Sequence, residues 1–337
     1  MDVPLPLIWI VKIVVIFGGL VGTAALMSLA ERKVSAWMQY RIGPNRVGPF
    51  GLLQPLADGI KFIFKEELIP AGANKFMFRL APALSAAPAM LTMAVIPIGG
   101  TALIAGREIP LSIADVDIGV LFLLAFSGLS IYGVILGGWA SNSKYSLLGG
   151  LRASAQMISY ELTLILTILA VVALEGTLNL RAISENQASI GQWNIWTQPL
   201  AFVLFTITMF AETNRHPFDF AECEPELVGG FHTEYSAMRF ALYFLGEYCA
   251  MTVLSCLNAT LFLGGPSVPF WPEAPWFIGV AAFCLKAGFF LFLFLWVRWS
   301  LPRMRFDQLM RLGWKVFLPL ALANLLVTGA FISFGAH

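Results

Sequence analysis

Apolar runs separated by short polar stretches recur along the whole chain. Most have the length an α-helix needs to cross a hydrocarbon layer of about 30 Å. The pattern predicts eight spans, at residues 7–30, 80–104, 118–140, 157–174, 193–211, 238–262, 276–297 and 314–333. The implied fold class is all-α, a polytopic membrane protein forming a single integral membrane domain over residues 1–337. The first run is too long for a signal-peptide core and leads into Glu31-Arg32-Lys33, so it reads as a retained helix. Pro82, Pro88 and Pro97 predict a kink in the second, and Pro217 is expected to help close the fifth. Residues 52–67 follow a different rhythm. Leu53, Leu56, Ile60, Ile63 and Phe64 share one helical face, while Gln54, Asp58, Lys61 and Lys65 share the other. So short an amphipathic helix is expected to lie in the membrane interface.

The charge pattern orients these spans. Of the 21 Lys and Arg residues, 17 fall on the connections after the first, third, fifth and seventh spans. The positive-inside rule makes those connections cytoplasmic and turns both termini outward. With 12% charged residues against about a quarter in soluble domains, little of the chain is left to form a water-soluble domain. A net charge of +1 carries no nucleic-acid footprint. Cys223, Cys249, Cys256 and Cys284 form no CxxC pair, and no P-loop or dinucleotide fingerprint is present. Redox or nucleotide chemistry near this chain is therefore expected to belong to other chains.

One cytoplasmic connection, residues 211–239, breaks the charge rule. It carries Glu212, Asp219, Glu222, Glu224, Glu226 and Glu234 against Arg215 and Arg239. Inside the apolar segments lie Glu161, Glu247 and Lys286, and ionisable groups at such depth mark function by default. Glu161 falls four residues into its predicted span, about 6 Å, and Glu247 nine residues into its own, about 13 Å. Lys286 is placed to pair with either. A buried ion pair fixing helix registry is one reading; a proton-accessible carboxylate relay with Glu212 as third acid is the preferred one. Glu222, Glu224 and Glu226 would point one way if extended. In a helix, Asp219, Glu222 and Glu226 would share a face, and the pattern leaves both open. Crowded carboxylates raise one another's pKa, which suits transient proton loading. His216 and His232 are too few to call for a metal. Tyr235 and the loop phenylalanines either line an apolar ligand chamber or pack.

Several long motifs then carry a resemblance. They are Glu31-Arg32-Lys33, RIGPNRVGPFGLLQPLADGIKFIFKE, NSKYSLLGGLRASAQMISYE, ETNRHPFDF, ELVGGFHTEYSAM and SLPRMRFDQLMRLGWKVFLPL. Over essentially its full length the chain resembles the quinone-site membrane subunit of respiratory complex I. This is the H-type subunit family of bacterial proton-translocating NADH-quinone oxidoreductases. The resemblance implies a quinone chamber framed by Arg32, Arg41, Arg46, Asp58, Lys65, Phe218, Asp219 and Phe220. It implies proton coupling through Glu31, Glu161, Glu212, Glu222, Glu224 and Glu247, with no residue of this chain performing hydride transfer and no metal site. Quinone would be the substrate, and no cofactor would be bound by this chain alone. NADH, FMN and iron–sulfur clusters would belong to partner subunits. Those partners are the peripheral quinone-site and iron–sulfur subunits and the membrane-arm subunits, with membrane lipid around them. His216, Phe220-Ala221, Cys223 and Pro225 depart from the family pattern but leave every acid in place. The rival readings are the homologous subunit of a complex-I-like membrane-bound hydrogenase, a stand-alone carboxylate transporter, and a passive scaffold.

Overall fold

The structure is a computed structural model and describes residues 5–104, 107–220, 224–268, 271 and 274–335. In chain order the helices and strands are α1 (Leu5–Met38), α2 (Gln54–Phe64), α3 (Lys75–Leu91), β1 (Thr101–Ile104), β2 (Arg107–Pro110), α4 (Gly119–Ala140) and α5 (Lys144–Glu175). They continue with α6 (Leu180–Ile190), α7 (Asn194–Thr197), α8 (Pro199–Glu212), α9 (Glu224–Leu227), α10 (Ala237–Phe262), α11 (Trp276–Ser300), α12 (Phe306–Leu312) and α13 (Leu318–Gly335). A π turn over Gly313–Phe317 joins the last two without a break. Among the described residues seven helices are long and apolar enough to cross a membrane. The all-α polytopic architecture expected from the apolar runs is what the chain adopts.

Four boundaries differ from the expectation, each for a physical reason. The first helix runs past its apolar stretch to Met38, because the Glu31-Arg32-Lys33 segment contains no helix breaker. The span expected at 80–104 stops at Leu91, followed by a tight turn over Thr92–Val95. Ile96, forced extended by the following Pro97, leads instead into the antiparallel β1–β2 hairpin. The span expected at 157–174 begins at Lys144. Its first three turns are too polar to read as a span, yet they bury Ser146, Gly149, Gly150, Ala153 and Gln156 against neighbours. It ends at Gly176, whose φ of 68° suits a left-handed cap. Finally, the run expected at 193–211 is broken at Gln198, the residue before Pro199, into α7 and the 14-residue α8. Polar side chains tie the break to its neighbours: Asn194 donates to Leu261 O at 3.1 Å, and Gln198 donates to Thr328 Oγ1 at 2.9 Å. The fifth span thus ends at Glu212, before Pro217.

α5 is the central post. It packs on α4, α8 and α13, while α10 packs on α1, α3 and α11. Tyr160 of α5 donates to Leu309 O at 2.9 Å and Trp314 donates to Ser159 at 3.1 Å, docking the C-terminal helices on it. Gly149 touches the 229–231 turn so closely that an added Cβ would lie 2.6 Å from Gly230 Cα. The amphipathic helix α2 is shorter than expected, 54–64, but keeps its polar face: Gln54 donates to Asp58 at 3.0 Å and Lys61 lies 3.7 Å from it.

Lys286 does not pair with Glu161 or Glu247. Its ammonium donates to three carbonyls just beyond α10, Leu263 O at 2.6 Å, Gly265 O at 2.8 Å and Ser267 O at 2.7 Å. Gln187 donates to Thr260 O and Leu261 O, and Ser184 to Gly264 O. The carbonyls a helix leaves unpaired at its C-terminus are here answered by side chains of α6 and α11.

Candidate functional site

Two cavities flank α10. The larger, about 1060 Å³, lies between α1, the 41–44 loop, α2, the first half of α10 and the end of α11. Its walls are largely apolar, through residues such as Val21, Ala24, Phe62 and Leu245, and its charged lining is Glu31, Arg32, Arg41, Asp58 and Arg298. Arg32 pairs with Asp58 at 2.8 Å, tying α1 to α2 across one edge. Of the residues assigned to a chamber from sequence, Arg32, Arg41 and Asp58 line it. Arg46 and Lys65 are exposed and do not. Phe218, Asp219 and Phe220 lie elsewhere: Phe218 packs on Tyr160 at 5.8 Å, Phe220 on Phe306 at 5.9 Å, and Asp219 pairs with Arg303 at 2.8 Å.

The smaller cavity, about 90 Å³, sits between α3, α4, α10 and the turn after α8. Glu212, Asn214, His232 and Glu247 face it, with the hydroxyls of Ser85, Thr92, Ser127 and Ser130. Glu212 Oε2 and Asn214 Oδ1 are buried and make no hydrogen bond among the described residues. Polar, roomy and lined by spare acceptors, the space suits a few water molecules. Glu161 lies beside it against α4, where a Cβ on Gly128 would sit 3.2 Å from its Oε1, and its charge repels that of Glu212. Because α5 begins at Lys144, Glu161 is seventeen residues from the helix start, roughly 25 Å along the axis rather than 6 Å.

Phe244 belongs to the walls of both cavities. Around it runs an alternating chain of charges. Arg298 pairs with Glu31; Glu31 Oε1 meets Arg215 Nη1 at 3.0 Å; the Nε of Arg215 pairs with Glu247. Tyr248 donates to Glu31 Oε2 at 2.5 Å, and its ring lies 4.5 Å below the Arg215 guanidinium. Two arginines and two carboxylates balance, which lets Glu31 and Arg215 stay buried between the half-buried Arg298 and Glu247. Burial works against the charge of Arg215, but Glu247 and Glu31 beside it outweigh that and hold its pKa above the ordinary value. Glu31 thus faces the large chamber, Glu247 the small one, and Arg215 binds both.

Arg215 is placed by the turn 211–218, which carries a cis His216–Pro217 bond. Gln156 of α5 donates to Ala211 O at 2.8 Å and Phe218 O at 2.7 Å. His216 has its pKa lowered by burial and by Arg303 nearby. Downstream, Glu222 lies outside the described residues. Glu224 opens the one-turn α9, and Glu226 in that turn pairs with Arg152 at 2.5 Å. Glu226 thus lies in a helical turn while Asp219 lies outside it, so no single helical face carries both. Tyr235 packs, stacked on Phe78 with ring centres 4.0 Å apart. Sequence reading selected the acids but assigned no role to Arg215, Arg298, Tyr248 or Gln156. The available signal was that Glu31 and Glu247, if buried, need counter-charges nearby.

A family model described as NADH dehydrogenase matches residues 11–329. The chain belongs to the NADH dehydrogenase family. It is 55% identical over 322 residues to the H-type subunit numbered 1 of the NADH-quinone oxidoreductase of Geobacter metallireducens, covering 96% of this chain and 95% of that protein. It is 54% identical over 323 residues to the H-type subunit numbered 2 of the Geobacter sulfurreducens enzyme, covering 96% of each. Against the H-type subunit of Leptospira biflexa it is 52% identical over 333 residues, covering 95% and 93%. The family assignment thus spans both cavities and all of the residues joining them.

Proposed function

We propose that this chain is the H-type membrane subunit of a proton-translocating NADH-quinone oxidoreductase, supplying the membrane side of a quinone chamber and linking quinone reduction to proton movement. The observation that carries the coupling is the Arg298–Glu31–Arg215–Glu247 chain, which joins the two cavities around Phe244. The chamber's apolar walls suit a quinone ring and the start of its tail; Glu31, Arg32, Arg41 and Asp58 supply its polar contacts. Relatives above 50% identity are named as parts of NADH-quinone oxidoreductases, which favours quinone over the hydrogenase-type assembly.

Quinone takes two electrons, delivered by partner subunits carrying NADH, FMN and iron–sulfur clusters, and two protons to give quinol. Removal of protons from the chamber changes the charge that Glu31 feels. Arg215, shared between Glu31 and Glu247, transmits the change to the inner cavity. There Glu247, Glu212 and Glu161 hold and pass protons at their carboxylate oxygens toward membrane-arm subunits, and Glu222 and Glu224 are proposed as further coupling acids. The basic connections face the cytoplasm, and the broken α7–α8 segment completes an eighth crossing, leaving both termini periplasmic in the cell inner membrane.

Glu247→Gln in the assembled complex tests this reading. Oxidation of NADH by a water-soluble acceptor that bypasses quinone should be unchanged, while quinone reduction and proton pumping fall about tenfold or more, about 1.4 kcal/mol of barrier. Arg215→Lys should fall similarly, because one ammonium does not reproduce the two-sided grip of a guanidinium. Parental quinone reduction and pumping in both variants would refute the coupling role.

A further inference from the structure

Gln156 is fully buried, and its amide nitrogen spends both hydrogens on carbonyls far away in sequence. The two acceptors, Ala211 O and Phe218 O, bracket the turn that carries Glu212 and Arg215. Arg215 N bonds Phe210 O of α8 at 3.1 Å and Phe218 N bonds Arg215 O at 2.9 Å, so the turn and the end of α8 form one unit. Where the unit sits against α5 is set from outside. Met157 and Tyr160, on the same face of α5 as Gln156, touch it beside the amide: Asn214 Nδ2 lies 3.4 Å from Met157 Sδ, and the Tyr160 ring meets Phe218. Both of the amide's partners are acceptors, so turning it over would set oxygen against oxygen. Among the described residues Gln156 Oε1 is buried and makes no hydrogen bond, leaving the nitrogen to fix the orientation.

We propose that Gln156 is a positioning residue for coupling: it seats the 211–218 turn on α5 so that Arg215 reaches Glu31 and Glu247 together. This rests on the reading of the Arg215 chain given above. The amide touches neither cavity, and it acts through the turn. Loss of its grip would let the guanidinium favour one carboxylate over the other. That alters the charge balance on both sides of Phe244 without emptying the chamber.

The test uses Gln156→Glu and Gln156→Met in the intact complex in native membranes, with Glu247→Gln as comparator. The amount of assembled complex is set by NADH oxidation with the quinone-bypassing acceptor. Turnover per complex is then measured with a short-chain quinone across the neutral pH range. Expected for both Gln156 variants is a fall in kcat of about tenfold, a KM for quinone within about twofold of parent, and a displaced pH optimum. Parental kcat and pH profile per assembled complex would overturn the proposal, even if the yield of complex dropped. Failure of both variants to assemble would also count against it, since a positioning residue must leave a folded subunit. If Glu247→Gln changes kcat or the profile while the Gln156 variants match the parent, the positioning role alone falls. If Glu247→Gln is parental too, the coupling reading beneath it falls as well.

Discussion

Replacing Lys286 by Met keeps the apolar stem and removes the ammonium. That ammonium donates hydrogen bonds of 2.6, 2.8 and 2.7 Å to Leu263, Gly265 and Ser267, and lies 4.9 Å from the centre of the Trp193 ring. Its three carbonyls follow the last turn of α10, where the helix dipole is negative and acceptors are unpaired. Side-chain hydrogen bonds inside membrane proteins average about 0.6 kcal/mol and reach about 1.7, which puts three of them at about 2–5 kcal/mol. Relief of the desolvated charge offsets part, leaving a net destabilisation of about 2 kcal/mol. α10 carries buried Cys249 and Cys256, so its opening can be read directly. In the purified complex, maleimide alkylation of Cys256, followed by mass spectrometry against temperature, should begin roughly 4 °C lower in the variant. Below that temperature pumping per complex should match the parent. Unchanged alkylation, or lost pumping with parental thermal behaviour, would show that Lys286 acts as a relay charge and not as a cap.

Two other perturbations follow from the geometry. Burial lowers the pKa of His232 from 6.5 to about 4, so the folded chain keeps it neutral where the unfolded chain takes up a proton. Its contribution is present above pH 6.5 and drains away as pH falls toward 4, at most about 3 kcal/mol in all. His232→Gln should flatten that part of the plot of melting temperature against pH, and an unaltered acid limb would refute the assignment. A Cβ at Gly149 would press on main-chain atoms, 2.6 Å from Gly230 Cα and 2.7 Å from Phe231 N. Gly149→Ala should therefore cost about 1–3 kcal/mol and lower the amount of this chain in membranes, whereas parental content and stability would contradict the close approach.

Where the chain's pattern is one of uninterrupted apolar residues, it was legible to within a few positions: 118–140, 238–262 and 276–297 became Gly119–Ala140, Ala237–Phe262 and Trp276–Ser300. It misled where helix and apolar run part company. The first turns of α5 are helical because their small and polar residues pack on protein, and hydropathy does not register that. The residue before a proline ended two helical runs early, at Ile96 and Gln198. For the site, position within apolar runs singled out Glu161, Glu247 and Lys286. Which of them meet is a question of helix rotation and of the 211–218 turn, and neither leaves a periodic mark in the sequence. Lys286 was consequently given an acid for a partner when main-chain carbonyls hold it, and the counter-charge fell to Arg215.

α1 outlasts its apolar stretch by the eight residues 31–38, a rise of roughly 12 Å. Glu31 opens that extension, twenty-six residues and roughly 39 Å from Leu5, against a hydrocarbon layer of about 30 Å. In the proposed role, a substrate whose ring reaches Glu31 has climbed out of the bilayer and drawn the first part of its tail with it. Each methylene lifted from lipid into water would cost about 0.8 kcal/mol, so the apolar wall of the chamber has to serve as substitute solvent. Partitioning between lipid and protein, and not contact with the ring alone, then governs occupancy. Binding should depend on the length of tail left behind in the membrane.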